Sequence, residues 1–183
     1  MVRLTGGTLR GRLVKVPRGL ATRPTAARVR EAIFNILRDR ITGARACDLF
    51  AGSGLLGLEA LSRGAASCVF VERRAAAAKI IRENLQQLGL EGKGRVIVGN
   101  AVAVLSRLTE QGPFDIVFAD PPYEKGYVKT VVSLFARYEL LAPTGVLVIE
   151  HGPGEVPEVE EGIALVESRR YGQTQVSFLK KEI

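Results

Sequence analysis

The chain has 183 residues, 46% of them hydrophobic, and a net charge of +7 from 26 Lys and Arg against 19 Asp and Glu; that length can bury a substantial core in one sizeable domain, or in one domain with a small appendage. It opens with no signal peptide and contains no apolar run of membrane-spanning length, so a cytoplasmic enzyme is expected. A single histidine and two cysteines without ligand spacing leave almost nothing from which to build a zinc site or a histidine-based triad, and Cys47 and Cys68, each inside an apolar run, are expected in the core.

The positive charge is segregated. Residues 1–45 hold eleven Lys and Arg, ten of them Arg, against only Glu31 and Asp39, a net +9; residues 46–183 hold fifteen against seventeen, a net −2. Residues 2–5 and 9–16 have strand composition around Gly6-Gly7, which predicts a hairpin with Arg10, Arg12 and Lys15 around its second arm. A linker over 17–24 carries Arg18 and Arg23. From Thr25 a helix is predicted, with Val29, Ile33, Phe34, Ile36, Leu37 and Ile41 as its apolar stripe and Arg28, Glu31, Arg38 and Asp39 on the other side. This quarter looks separate from the core that follows. Because the planar fork of arginine suits phosphate and stacks on bases, such an appendage reads as a nucleic-acid clamp, with Arg10, Arg12, Lys15, Arg18, Arg23, Arg28 and Arg30 as its contacts; a merely solvated basic surface is the plainer alternative.

The next stretch, Ala46-Cys47-Asp48-Leu49-Phe50-Ala51-Gly52-Ser53-Gly54-Leu55-Leu56-Gly57, is an apolar run ending in an acid, a glycine-rich turn and the start of a helix over 55–63. Gly52 and Gly54 permit a sharp turn and close approach of a ligand, while Gly57 permits tight helix–strand packing. The spelling is GxGxxG, and Glu72 lies about twenty residues on, at the end of a second strand, placed to accept from ribose hydroxyls. A dinucleotide and S-adenosylmethionine (SAM) both fit that pattern. Asp48 favours SAM, because a carboxylate sits badly beside a pyrophosphate and well beside the ammonium of a methionine moiety.

Strand and helix patterns alternate from residue 45 onward, predicting a parallel sheet with helices on both faces. An Ala-rich helix over 75–88 stops at Gly89, and a strand over 95–99 leads to Asn100 and Ala101 at a carboxyl edge. Asn100 suits an adenine-edge contact and, equally, a helix cap. After a short helix over 101–108, the strand Phe114-Asp115-Ile116-Val117-Phe118-Ala119 runs into Asp120-Pro121-Pro122-Tyr123. Two prolines hold the backbone extended without N–H groups, so this motif offers acceptors and no donor before Tyr123. Its natural partner is an exocyclic amino group whose lone pair faces an electrophile, with Tyr123 as a flat face for a flipped base. In-line methyl transfer from a sulfonium needs that positioning and no covalent intermediate. A helix over 126–141, a strand over 145–150, His151 as a loop residue, an acidic loop over 152–162 and a hairpin of strands over 163–170 and 174–180 complete the chain.

With Arg23-Pro24-Thr25 and Arg28-Val29-Arg30-Glu31 ahead of these two motifs, the chain resembles the bacterial 16S ribosomal RNA (guanine-N(2)-)-methyltransferase family over nearly its whole length. The resemblance implies a Rossmann-like, class I SAM-dependent methyltransferase fold. Its seven-stranded, mostly parallel sheet carries helices on both faces and an antiparallel last strand over 42–183, with a basic, RNA-facing hairpin-and-helix extension over 1–41. It implies a guanine 2-amino group of 16S rRNA as target, alone or within the small ribosomal subunit; composition leads to no metal and no membrane being expected, and a monomer is favoured. It puts Asp48, Ala51, Gly52, Ser53, Gly54, Gly57 and Glu72 on cofactor positions, Asn100 and Ala101 on the adenine contact, and Arg23 and Thr25 over the methionine end. Asp120, Pro121, Pro122 and Tyr123 become the catalytic loop. The residues themselves leave other readings open. Similar motifs serve DNA adenine and cytosine amino groups, and a non-catalytic RNA-binding module or a dehydrogenase are the readings of other classes.

Overall fold

The computed structural model of the protein describes residues 1–18, 24–123, 126–159 and 161–182. Two short strands, β1 (Val2–Arg3) and β2 (Leu13–Val14), pair antiparallel and precede the helix α1 (Pro24–Ile41). There follow β3 (Arg45–Asp48), α2 (Leu55–Ser62), β4 (Ser67–Glu72), α3 (Ala75–Leu88), β5 (Gly94–Val98), α4 (Ala101–Leu108), β6 (Phe114–Ala119), α5 (Tyr127–Tyr138), β7 (Leu141–His151), β8 (Ile163–Tyr171) and β9 (Thr174–Lys181). Seven strands form one sheet in the order β5-β4-β3-β6-β7-β9-β8. β9 alone runs antiparallel to both of its neighbours, as the resemblance implies. Among the described residues no helix is long and apolar enough to cross a membrane.

Side chains alternate across a sheet, so pairing fixes which residues share a face. Asp48 pairs with Phe70 and Phe118, and Phe118 with Val148. These positions, with Ala46, belong to the face that buries Phe34, Leu58 and Ile81 from α1, α2 and α3. Cys47, Val69, Val117 and Leu147 belong to the other, against Leu105, Val131 and Phe135 from α4 and α5. Both cysteines are buried, and burial pushes both thiols up, Cys68 well above its ordinary value.

The basic extension is packed into this core. Leu4, Val14, Val29, Ile33, Phe34, Leu37 and Ile41 are buried in the same cluster as Phe70 and Phe118, and the Phe34 and Phe118 rings lie 5.5 Å apart. Its hairpin is shorter than the expected arms: residues 7–12 turn back on themselves, as in the bond from Arg12 N to Leu9 O (3.0 Å), and other backbone groups of the segment bond to α2. Thr8 N donates to Ser62 O (2.8 Å), Leu9 N to Ser62 Oγ (3.1 Å) and Thr5 N to the buried Glu59 carboxylate (2.9 Å). Gly7 lies so close that a Cβ there would meet Ser62 O at 1.9 Å.

Two boundaries differ from expectation at the end of α5. The helix stops at Tyr138, where Glu139 turns left-handed with φ 48°, and β7 begins at Leu141 instead of 145. Leu140 and Leu141 are buried, and Phe114 N donates to Leu140 O (2.8 Å). Pairing then jumps from Phe114↔Leu141 to Ile116↔Val146, so residues 142–144 loop out of register. His151 is the second correction: it is no loop residue but the fully buried end of β7. Its ring lies 2.7 Å from Ser177 Oγ and 2.8 Å from Gly152 O, a link between β7 and β9.

Candidate active site

The turn after β3 is shaped by its glycines. Gly52 (φ 54°) and Gly54 (φ 74°) are left-handed, and Gly54 stands at the N-cap of α2. Ala51 N bonds to Val71 O (2.9 Å), tying the loop to β4. Gly57 is the packing glycine that the spacing predicts: a Cβ there would fall 2.3 Å from Phe70 Cε1 and 2.8 Å from Cys68 Sγ. Its N–H also donates to Asp48 Oδ2 (3.0 Å), fixing the acid at the end of β3.

Glu72 does the same for the turn. Its Oε2 accepts from Gly52 N (2.8 Å), and its Oε1 from Arg74 N (2.8 Å) and Arg74 Nε (3.3 Å). Asn100 caps α4, its Oδ1 accepting from Val102 N (3.0 Å) and Ala103 N (3.2 Å), so the cap is one of its roles. Asp120 leaves β6 at the carboxyl edge, Pro121 is buried, and Pro122 and Tyr123 are exposed. The Tyr123 hydroxyl reaches Thr174 Oγ1 (3.3 Å).

These elements enclose a cavity of about 900 Å³. Asp48, Ala51, Gly52, Ser53, Glu72, Asn100, Ala101 and all four residues of the Asp120–Tyr123 loop line it, with Ala26, Ala27 and Arg30 of α1 on its other side. Gly54 and Gly57 stand behind the lining and support it. The sheet register puts four acids on one face, at the carboxyl ends of four adjacent strands: Glu72 (β4), Asp48 (β3), Asp120 (after β6) and Glu150 (β7).

Crowding such charges against apolar walls disfavours their ionised forms. Burial pushes Asp48 up to about 8, with Asp120 and Glu72 adding to the rise and the Gly57 N–H opposing it. Glu150 is pushed up to about 8, by burial and then by Asp120 and Asp48. Asp120 opens onto the cavity, yet the surrounding protein still holds it up to about 6. An acidic, partly desolvated cleft of this kind is built to receive a cation.

The basic residues divide into two groups. Arg10, Arg18 and Arg28 are exposed. Lys15 is paired with Glu83 of α3 (2.9 Å) and Arg12 reaches Gln87 O (3.5 Å), both holding the hairpin on α3. Arg30 points inward, with Nε 3.6 Å from Glu59 and Nη2 donating to Arg3 O (3.3 Å). Arg23 and the Thr25 side chain lie outside the described residues. Several lining residues were not expected from the sequence, among them Glu150, Phe50 and Tyr127. Glu150 could have been found as an acid ending a buried strand beside the motif strand; Phe50 and Tyr127, whose rings meet edge-on at 5.9 Å, carried no signal of their own.

The model of the family Conserved hypothetical protein 95 matches residues 2–180. The YlbH protein of Bacillus subtilis (strain 168), provisionally named an rRNA methyltransferase, is 37% identical over 98% of this chain and 99% of its own length. Ribosomal RNA small subunit methyltransferase D of Escherichia coli (strain K12) is 39% identical over 90% of this chain and 79% of its own. The solved structure of yhhF from Escherichia coli, provisionally named a methyltransferase, superposes with a TM-score of 0.88 at 36% identity, covering 99% of this chain and 98% of that one. The chain belongs to the Conserved hypothetical protein 95 family and is a methyltransferase of the class I fold.

Proposed function

We propose that the chain methylates the exocyclic 2-amino group of a guanine in 16S rRNA, in the bacterial cytoplasm and as a monomer, with naked RNA or the small ribosomal subunit as the particle recognised. The observation that carries the reading is the Asp120 carboxylate, which stands in the cavity one strand away from Asp48 on a loop stiffened by two prolines. The names and identities of the relatives support rRNA as the substrate class.

SAM supplies a methyl group activated on a sulfonium. Asp48 takes the ammonium of its methionine moiety, the backbone of the Ala51–Gly54 turn lies along it, and Glu72 accepts from the ribose hydroxyls. Asn100 and Ala101 border the adenine, and Arg23 and Thr25 cover the methionine end. Asp120 and the proline carbonyls accept the two N–H donors of the target amine, which turns its lone pair toward the methyl group, and Tyr123 stacks on the base. Forming the N–C bond would break the methyl–sulfur bond and leave a neutral thioether, and Asp120 would take the one amino proton that must leave. The exposed Arg10, Arg18 and Arg28 hold phosphate.

Labelled methyl from SAM tests this on unmethylated 16S rRNA, partly assembled and complete small subunits, tRNA and duplex DNA. Label recovered from small-subunit RNA as 2-methylguanosine is the expected result. Label in DNA would keep the chemistry and overturn the substrate.

A further inference from the structure

Asp120 and Glu150 directly follow Ala119 and Ile149, which pair in the parallel β6–β7 ladder. Equivalent positions on neighbouring parallel strands lie about 4.8 Å apart and share a face. Both residues line the cavity, and among the described residues no donor hydrogen-bonds either carboxylate. A buried or half-buried acid kept for structure is normally paired, as Glu59 is with Arg63 and Thr5 N. Glu150 is half-buried and bears the cost of its position without such a partner.

Strand order supplies the direction. Asp48 stands on β3, Asp120 after β6 and Glu150 on β7, so Glu150 is one strand farther than Asp120 from the end of the cleft where the ammonium is held. A base whose amino nitrogen faces the methyl donor at Asp120 can turn a ring nitrogen beside that amino group toward Glu150. In guanine the amino group is flanked by two ring nitrogens, N1, which carries a hydrogen, and N3, a bare acceptor; in adenine and cytosine the one ring nitrogen beside the amino group is a bare acceptor. The cofactor's positive charge in the cleft favours the ionised acid, and a carboxylate there attracts N1–H, so guanine turns N1 and not N3 toward it, and repels the bare nitrogens of the other two bases.

We infer that Glu150 is a specificity-determining residue, accepting the N1–H of the target guanine while Asp120 accepts from its 2-amino group. This rests on the guanine reading above. It also supplies what the Asp-Pro-Pro-Tyr motif lacks, a reason for guanine over other amino-bearing bases. A site built to bond one N–H rejects an analogue lacking it strongly, because the mismatch leaves a polar group unpaired.

The test uses the full chain and small-subunit RNA in which the guanine labelled by the unmodified protein is replaced, by splinted ligation, with 2-aminopurine. That base keeps the 2-amino group and has an unprotonated N1. The unmodified protein should prefer guanine by about a hundredfold or more in kcat/KM. Glu150→Gln, whose amide can donate to a bare N1, should lose at least about tenfold on guanine and narrow the preference by at least about tenfold. Its affinity for SAM should stay within about threefold. Glu150→Asp, which keeps the carboxylate, should lose rate but retain the preference. An unchanged preference in Glu150→Gln would overturn the inference, as would a loss of SAM affinity in step with the rate. If the unmodified protein labels no guanine, the underlying reading falls and this one with it; label on guanine with an unchanged preference sinks this inference alone.

Discussion

Asp48 is only 2% exposed, and its carboxyl is held up to about 8. In the free protein the folded state therefore keeps a proton that the unfolded chain gives up above its ordinary value of 3.8. The contribution to stability is full below about pH 4 and is lost as pH rises through 8. Thermal melts of the free protein should show a falling Tm between pH 5 and 8. Asp48→Asn should flatten that slope and gain on the order of 2 kcal/mol at pH 8. Binding works in the opposite sense: the SAM ammonium needs the ionised acid, so affinity should rise about tenfold per pH unit between 6 and 8, with a proton released. Calorimetry in buffers of different ionisation enthalpy reads both quantities. A pH-independent affinity without proton release would remove Asp48 from the cofactor's ammonium. The sequence made this residue legible because an acid ending an apolar run before two glycines is unusual. Glu150, ending a similar run without a glycine turn after it, was not.

At the scale of elements, the strand–turn–helix unit of β3 and α2 is held by contacts that a side chain would break. Gly57→Ala puts a methyl group against Phe70 and Cys68. It should cost about 1–3 kcal/mol by denaturant unfolding, and should weaken SAM binding because the same residue's N–H fixes Asp48. Unchanged stability would contradict the tight packing. This unit was readable in advance, since glycine spacing and local periodicity both specify it. The boundary between α5 and β7 was not. Residues 139–141 look helical by local composition, and only the burial of Leu140 and Leu141 against β6 ends the helix at Tyr138 and starts β7 at Leu141. The same holds for His151, whose place is set by Ser177 from a strand 26 residues away. The hairpin likewise looked self-contained, but part of its backbone bonds to Glu59 and Ser62 of α2. Tertiary partners at long separation leave no local mark.

On the whole molecule, the +9 of the first 45 residues divides into exposed and anchored charges, which composition alone could not separate. RNA affinity should fall linearly with log salt, and Ala at Arg10, Arg18 or Arg28 should each lower that slope by about 0.7–0.9 where a phosphate contact is lost. Arg30→Ala should instead lower Tm, by about 1–3 kcal/mol of stability, because it strips a cation from the buried Glu59. Filter binding across a salt series and thermal melts separate the two groups; equal effects from both would contradict the division. The account as a whole holds that a rank of acids positions a methyl donor and an amine, with Asp120 as the group that presents the amine. Its most direct test is methyl transfer to small-subunit RNA by Asp120→Ala, measured beside SAM and RNA affinities. The account predicts a loss of at least about 10²–10³ in kcat with both affinities within about threefold; full turnover in Asp120→Ala would contradict it.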